Sequence, residues 1–571
     1  MTAASQGAAA GMLPRGLAAR VGPLSAERLL VAVLVALLTV MVIVPLVAVA
    51  MTGFNEADGL TLRHFADVFA RPRTILNTLA VGVGATAIAI TIGGALALIL
   101  ARTNAPGRRL LERLVIIPLY ITPLLTAIAW SWLGSPRGGL VNMAAKNAFG
   151  IDQLINLQSP TGVVLVTALS YVPLPFLLIG GALRGMDPSL EESARVHGAS
   201  AARTLRVVTL PLILPASLGS ALLVFVQAIG LFSVPAVLGM PSDFFVATTE
   251  IYRLLDNYPP RVGQAAAWGL VLLVLTASLI ALQARILGRR SFVTITGKAF
   301  RPRTIELGGV RYLLAALVWL YVALAIVLPV LVLVWAASIS FLTIDVHMME
   351  WSLKHFRYIL FQYPKTYLAL QNSTLLGFGT ATLVVALGLV VSWVVVRTKR
   401  PARHYLDQVS MFPLSTPAMV FALGLLWVYV GIKFLPIYGT IWILLLSYVT
   451  HYLPFGVRSA SGALRQLHPE LEDAARVTGA SWSKTMRWVT FPLTRPTLAA
   501  AWTLLFIMSM QEVSSSILLY TSRTVVLSVT VFDLWETGNP NALAALAVIQ
   551  LALTFIVVAV VIRARHREVL S

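Results

Sequence analysis

The sequence predicts an all-α, polytopic membrane protein of about twelve transmembrane helices in two homologous six-helix halves. Three observations carry this. The 571 residues are 58% hydrophobic and 12% charged, a composition of membrane proteins rather than soluble domains. Apolar runs recur at about the 20 residues needed to cross a hydrocarbon core roughly 30 Å thick. A long polar segment of the first half also reappears in the second.

The first six runs lie near 28–51, 76–101, 110–133, 161–183, 212–235 and 263–287. The second six lie near 312–339, 371–396, 406–431, 437–457, 497–520 and 541–562. Residues 1–27, rich in Ala and Gly, read as a cytoplasmic tail before an uncleaved first helix, because the apolar run that follows is too long for a signal-peptide core. The first half then occupies 28–288, a basic cytoplasmic linker 289–311, and the second half 312–571.

Basic residues set the orientation. With both termini cytoplasmic, most of the 43 Lys and Arg residues fall in inside loops, as membrane topology requires. Dense clusters are Arg102, Arg108, Arg109 and Arg113, then Arg285 through Arg303, then Arg397 through Arg403. The formal charge of +20 is spread over short loops flanking apolar helices. It therefore reflects topology and anionic headgroups, not nucleic-acid binding. The absence of cysteine excludes disulfides, thiolate chemistry and Cys-based metal sites.

The internal repeat decides the architecture. Gly181–Pro215 and Gly462–Pro496 match without a gap at 20 of 35 positions, at an offset of 281. The same offset carries Tyr171 and Pro173 onto Tyr452 and Pro454. Earlier the match is shifted, with Arg102 and Thr103 answering to Arg397 and Thr398, which places extra residues in the first half near 134–160. An even number of spans per half gives both the same orientation, related by an axis along the membrane normal.

The best-matched segment is a polar loop between the fourth and fifth spans of each half, with the grammar helix, Gly break, helix. Asp187 can cap and Pro188 can start the first copy, with Glu191 and Glu192 in its opening turns. Pro469 and the acids Glu470, Glu472 and Asp473 do the same in the second. Gly198 and Gly479 permit the left-handed backbone that ends each short helix, and Pro211 and Pro492 return the chain to the membrane. Small Ala194 and Ala475 would let each helix sit against a partner groove.

These loops resemble the hallmark of the integral membrane subunits of bacterial binding-protein-dependent ABC importers: Glu-Ala-Ala, three residues, Gly, then a distant aliphatic residue and Leu-Pro. The copies read Glu192-Ser193-Ala194 with Gly198, Val208, Leu210 and Pro211, and Asp473-Ala474-Ala475 with Gly479, Val489, Phe491 and Pro492. The resemblance implies that each loop docks in a cleft of a separate ATPase, where Glu192 and Asp473 meet a basic residue. It also implies two copies of that ATPase, which would bind ATP and Mg, and an extracytoplasmic solute-binding protein, all in a bacterial inner membrane. No cofactor or metal belongs to this chain, and it has no catalytic residue. Gly297-Lys298 is no phosphate-binding loop, since Phe292 and Ala299 occupy the flanking positions.

Ionisable groups within apolar spans are functional candidates, because burial in lipid costs several kcal/mol. Glu512, in MSMQEVSSS of the eleventh span beside Gln511 and Ser514, is the leading one, and the repeat aligns it with Leu231. Gln227 adds a weaker polar element. The competing expectation makes Glu512 a helix-end residue bonded to neighbouring backbone. Asn77 with Thr78, and Asn372 with Ser373, read as caps of the second span of each half. His451 and Tyr452 either line a cavity or are structural, and Trp130 and Trp132 read as interfacial anchors. No cluster of Asp, Glu, Tyr and His is visible in the spans.

The fused form, the linker TGKAFRPR and the segments FSVPAVLG and QEVSSSILLY resemble the ferric-iron branch of the family. Branches carrying 2-aminoethylphosphonate, thiamine, polyamines or sulfate are the alternatives. A twelve-span secondary transporter is the competing class, but it gives no reason for two helix-Gly-helix loops after the fourth spans.

Overall fold

The computed structural model describes residues 26–56, 59–136, 138–288, 306–342, 349–432 and 436–570. The predicted tail and most of the basic linker lie outside these residues. Eight helices are individually long and apolar enough to cross a bilayer, and three bent pairs raise that to eleven. The tenth predicted span is Ile441–Gln466, whose hydropathy is lowered by Tyr, His, Ser and Gly residues together with Arg458 and Arg465. Length and apolarity therefore support eleven spans, not twelve, among the described residues.

The third segment of each half folds sharply instead of running straight. Arg108–Tyr120 meets Pro123–Gly134 at 94°, and Ala402–Ser415 meets Ala418–Gly431 at 109°. Both corners fall between prolines, Pro118 and Pro123 in one half, Pro413 and Pro417 in the other. Proline removes a backbone donor and pushes the preceding residue out of helical geometry. The Thr122 hydroxyl then caps the next helix by accepting the Leu124 amide at 3.3 Å. The fourth segment bends by 42° at Pro173, whereas its counterpart runs on through Pro454.

The fifth spans differ most from expectation. They begin within the repeated loops, pass through π-helical turns at Leu205–Thr209 and Met486–Thr490, and end at Gly230 and Met510. The apolar residues beyond are not span. They fold back and lead to two short helices, Ala247–Asp256 and Leu527–Glu536, on the face opposite the loops. The extra residues of the first half form the helix Leu140–Phe149. Asn142 pins it, donating to Ser135 O at 2.9 Å and Ile155 O at 2.7 Å, and accepting the amides of Leu154 and Ile155.

The halves exchange their first spans. Val44–Phe54 packs against Ala418–Gly431 of the second half, and Leu328–Ala337 against Pro123–Gly134 of the first. Gly424 permits the first crossing, since a side chain there would run into the Pro45 carbonyl. Within the second half, a Cβ on Gly388 would lie 2.7 Å from the Gly456 backbone, so small residues let the helices touch main chain to main chain.

Candidate translocation cavity and coupling loops

Two groups of residues recur in both halves and are built by the same backbone: one at the centre of the bundle, the other at its loop face.

At the centre, a cavity of about 400 Å³ lies between the halves. Gln227, Gln511, Glu512 and Ser514 all line it, as do His451 and Tyr452. The repeat contributes equivalent positions: Tyr171 and Tyr452, Ser170 and His451, Leu231 and Glu512, Ser233 and Ser514, all 281 apart, face the same space. The two tyrosines even share a partner position, Tyr171 donating to Gln227 O at 3.4 Å and Tyr452 to Met508 O at 3.1 Å. Gln511 joins the halves by donating to Leu119 O at 3.2 Å, at the corner of the first half's bent third segment.

Glu512 is not within the eleventh span. It lies just past the helix end at Met510, where the chain turns away. Hydroxyls replace the helical bonds lost there, since Ser516 and Ser528 both donate to the Glu512 carbonyl, at 3.0 and 2.6 Å. The carboxylate is 8% exposed. Its Oε1 accepts the Ser515 amide at 3.0 Å and its Oε2 accepts the Tyr452 hydroxyl at 2.6 Å. The side chain caps neighbouring backbone and also faces the cavity. Among the described residues, no Lys or Arg lines the cavity.

An aromatic cluster lies beside the cavity. Phe232, between the cavity residues Leu231 and Ser233, packs on Phe532 and Tyr252 at ring-centre distances of 5.4 and 5.1 Å. The Tyr252 hydroxyl donates to Glu536 at 3.2 Å, so the short helices Ala247–Asp256 and Leu527–Glu536 meet across the halves here. The second spans hold these helices in place. Thr78 Oγ1 accepts the Ala247 amide at 2.9 Å, and Ser373 Oγ accepts the Leu527 amide at 2.8 Å. Asn77 and Asn372 donate to Phe245 O and Val525 O. Thr78 and Ser373 therefore cap the short helices, and Asn77 and Asn372 tie down the chain just before them; none of the four caps its own span, which begins earlier at Pro72 or Lys365. Trp130 and Trp132 are half-buried against the core.

At the loop face, each repeated loop folds as read from sequence. Helices Pro188–Val196 and Glu470–Val477 end at Gly198 and Gly479, with φ of 82° and 85°. Asp187 caps the first through the Ser189 amide at 2.9 Å. Glu192 and Asp473 lie on the exposed side, with Asp473 at 3.9 Å from Arg476. Ala194 and Ala475 are half-buried. Most telling are Val196 and Val477, equivalent by the repeat, at 85% and 87% exposure.

The preceding acids turn inward. Glu472 accepts from Arg397 Nε at 3.2 Å, Trp393 Nε1 at 3.1 Å and Thr490 at 3.3 Å. Glu191 accepts from Thr209 at 2.8 Å and lies 3.6 Å from Arg102. The arginines end the second spans, and the threonines start the fifth. Each loop is thereby clasped to two spans by an Arg-Glu-Thr set. Sequence reasoning credited these glutamates only with dipole effects. The signal was present, since Glu, Arg and Thr are each identical between halves whereas the outward acid varies from Glu192 to Asp473.

Residues 89–292 and 384–568 match the family model described as binding-protein-dependent transport system inner membrane component. The chain belongs to this family. As an ABC importer permease it is a multi-pass inner-membrane transport subunit, not an enzyme. A ferric transport system permease protein of Actinobacillus pleuropneumoniae is 25% identical, over 87% of this chain and 72% of that protein. An Fe(3+)-transport system permease protein of Haemophilus influenzae is 23% identical, over 89% and 93%. A molybdenum transport system permease protein of Escherichia coli is 28% identical over 34% of this chain and 83% of its own length. A solved bacterial ABC transporter for alginate import matches 47% of this chain and 98% of its own at 22% identity and a TM-score of 0.41. The clasps join each loop to the second span and to the fifth, and of these the fifth lines the cavity.

Proposed function

We propose that this permease carries ferric iron, received from an extracytoplasmic binding protein, and that a separate pair of ATPase subunits drives it through the two repeated loops. The observation that carries the reading is the matched pair of loops, each presenting an exposed Val and an outward acid while its inner acid is clasped to the bundle. An apolar side chain held almost wholly in solvent at the same position of both loops suits a docking surface. ATP-driven closure of two ATPases would push the loops together, and the Arg-Glu-Thr clasps would pass that motion to the fifth spans, rocking the halves about the cavity. On this reading both termini and both loops are cytoplasmic, in keeping with the basic loops. The ferric cargo is supported by the relatives named for ferric transport and by a cavity whose acid faces no Lys or Arg among the described residues.

The test is co-purification and uptake. Replacing Glu192 and Asp473 together with Lys is expected to release the ATPase and abolish uptake while the chain still inserts. Retained ATPase and normal uptake would remove the docking role. Uptake of radiolabelled ferric iron from the loaded binding protein, compared with 2-aminoethylphosphonate, decides the cargo.

A further inference from the structure

Folding brings together a donor set that the linear sequence scatters. Tyr171 lies in the fourth span of the first half, His451 and Tyr452 in that of the second, and Glu512 just beyond the eleventh helix, yet all four line one cavity. His451 and Tyr452 are adjacent, with ring centres 5.0 Å apart, and Tyr452 bonds Glu512 at 2.6 Å. Tyr171 and His451 both lie within electrostatic range of the Glu512 carboxylate. His451 Nδ1 is buried without a hydrogen-bond partner among the described residues, unusual for a buried imidazole nitrogen. The set holds only two residues of the His, Cys, Asp and Glu types, and no group of three such residues is found among the described residues. The two phenols complete it.

Resting on the ferric reading above, we propose that Tyr171, Tyr452, His451 and Glu512 form a transit coordination site for the ferric ion between the halves. The donors are one carboxylate, two phenols and one imidazole, the oxygen and nitrogen types that suit a hard trivalent cation. The sign of the charge selects the cargo class. A carboxylate with no Lys or Arg on the cavity wall attracts a cation and repels an oxyanion. On ligation each phenol releases its proton to solvent and recovers it when the ion leaves, so the chain is unchanged after one passage. The site is divided between the halves, so rocking that separates them pulls Tyr171 from the second-half donors and loosens the ion.

The test uses the full chain with its ATPase in nanodiscs and ferric citrate as probe, followed by uptake into proteoliposomes from ferric-loaded binding protein. The wild type is expected to give a phenolate-to-iron charge-transfer band. Tyr452→Phe should lose most of it, and Glu512→Gln should weaken ferric affinity by about tenfold or more, with Glu512→Asp restoring part. Uptake should fall in the same order. Iron uptake that continues in wild type, Tyr452→Phe and Glu512→Gln alike, or a wild type without the band, overturns the site while leaving the ferric cargo intact. Loss of uptake with an unchanged band marks a structural role and also overturns it. A wild-type assembly that takes up no ferric iron refutes the cargo reading and the site with it.

Discussion

Glu472→Gln tests whether the inward acids hold the coupling loops. The side chains of Glu472 and Arg397 are 6% and 11% exposed, so the pair is nearly desolvated. Gln keeps the shape and one acceptor but removes the charge, leaving the Arg397 guanidinium without a counter-ion. Breaking a buried pair from one side costs about 3–5 kcal/mol. Arg397 retains two carbonyl partners, Leu464 at 3.1 Å and Leu467 at 2.9 Å, which lowers the expected loss to about 2–3 kcal/mol. Glu191→Gln should cost less, about 1 kcal/mol, because its arginine already stands at 3.6 Å and leaves Nε and Nη1 of Arg102 without partners. Thermal unfolding in detergent measures the order, and ATP hydrolysed per substrate imported measures coupling. A cycle with Arg397→Met should be less than additive. Strict additivity, or a larger effect from Glu191→Gln, would refute the clasp.

Three further outcomes are expected. The chain has no cysteine, and Tyr252 and Glu536 touch only at their side-chain tips, so Tyr252→Cys with Glu536→Cys should be joined across the halves by a reducible bis-thiosulfonate cross-linker that spans the lost side chains, blocking uptake until reduced; uptake unaffected by cross-linking would show that this contact need not open. Gly424→Ala should destabilise the fold by about 1–3 kcal/mol through overpacking against Pro45, read as an earlier melting transition. Burial holds the Glu536 carboxyl above the usual range; the Tyr252 hydrogen bond opposes this, and Asp256 and Asp533 add to it. A raised folded value means that the folded chain holds the proton more tightly, so this contribution is complete below the ordinary Glu value and is lost as pH rises through the folded one. Glu536→Gln should flatten that dependence of melting temperature on pH, and an unchanged profile counts against it.

Local chemistry was legible in the sequence, and convergence in space was not. The loops were readable because their determinants are short-range: Asp187, Gly198 and Gly479 act on backbone within a few residues. Span positions followed from apolar length, but their ends did not. Residues 231–242 and 511–520 are apolar enough to extend the fifth spans, yet they turn back where hydroxyls satisfy the broken backbone, Thr248 at the Leu231 carbonyl in the first half and Ser516 and Ser528 at the Glu512 carbonyl in the second. Thr78 and Ser373 cap helices about 150 or more residues away, a pairing no local pattern encodes. The same holds for the cavity, where Tyr171 and Glu512 meet only because the halves pack face to face.

The duplication has been kept and lost in different places, and the difference tracks mechanism. At the loop face the inward Glu, its Arg and its Thr are the same residues in both halves, as expected where two equal thrusts must be received together. At the cavity the same backbone positions carry Ser170 against His451, Gly230 against Gln511, and Leu231 against Glu512. A two-fold copy of Glu512 would set two carboxylates facing one small space, where like charges destabilise each other and would hold a multivalent cation too firmly to release. On the proposed ferric reading one acid would attract the cation, and the tyrosine shared by both halves would give the rocking motion a ligand to withdraw. Introducing the second acid by Leu231→Glu therefore predicts tighter ferric binding with slower turnover; faster uptake in that variant would argue that release is not the step the asymmetry protects.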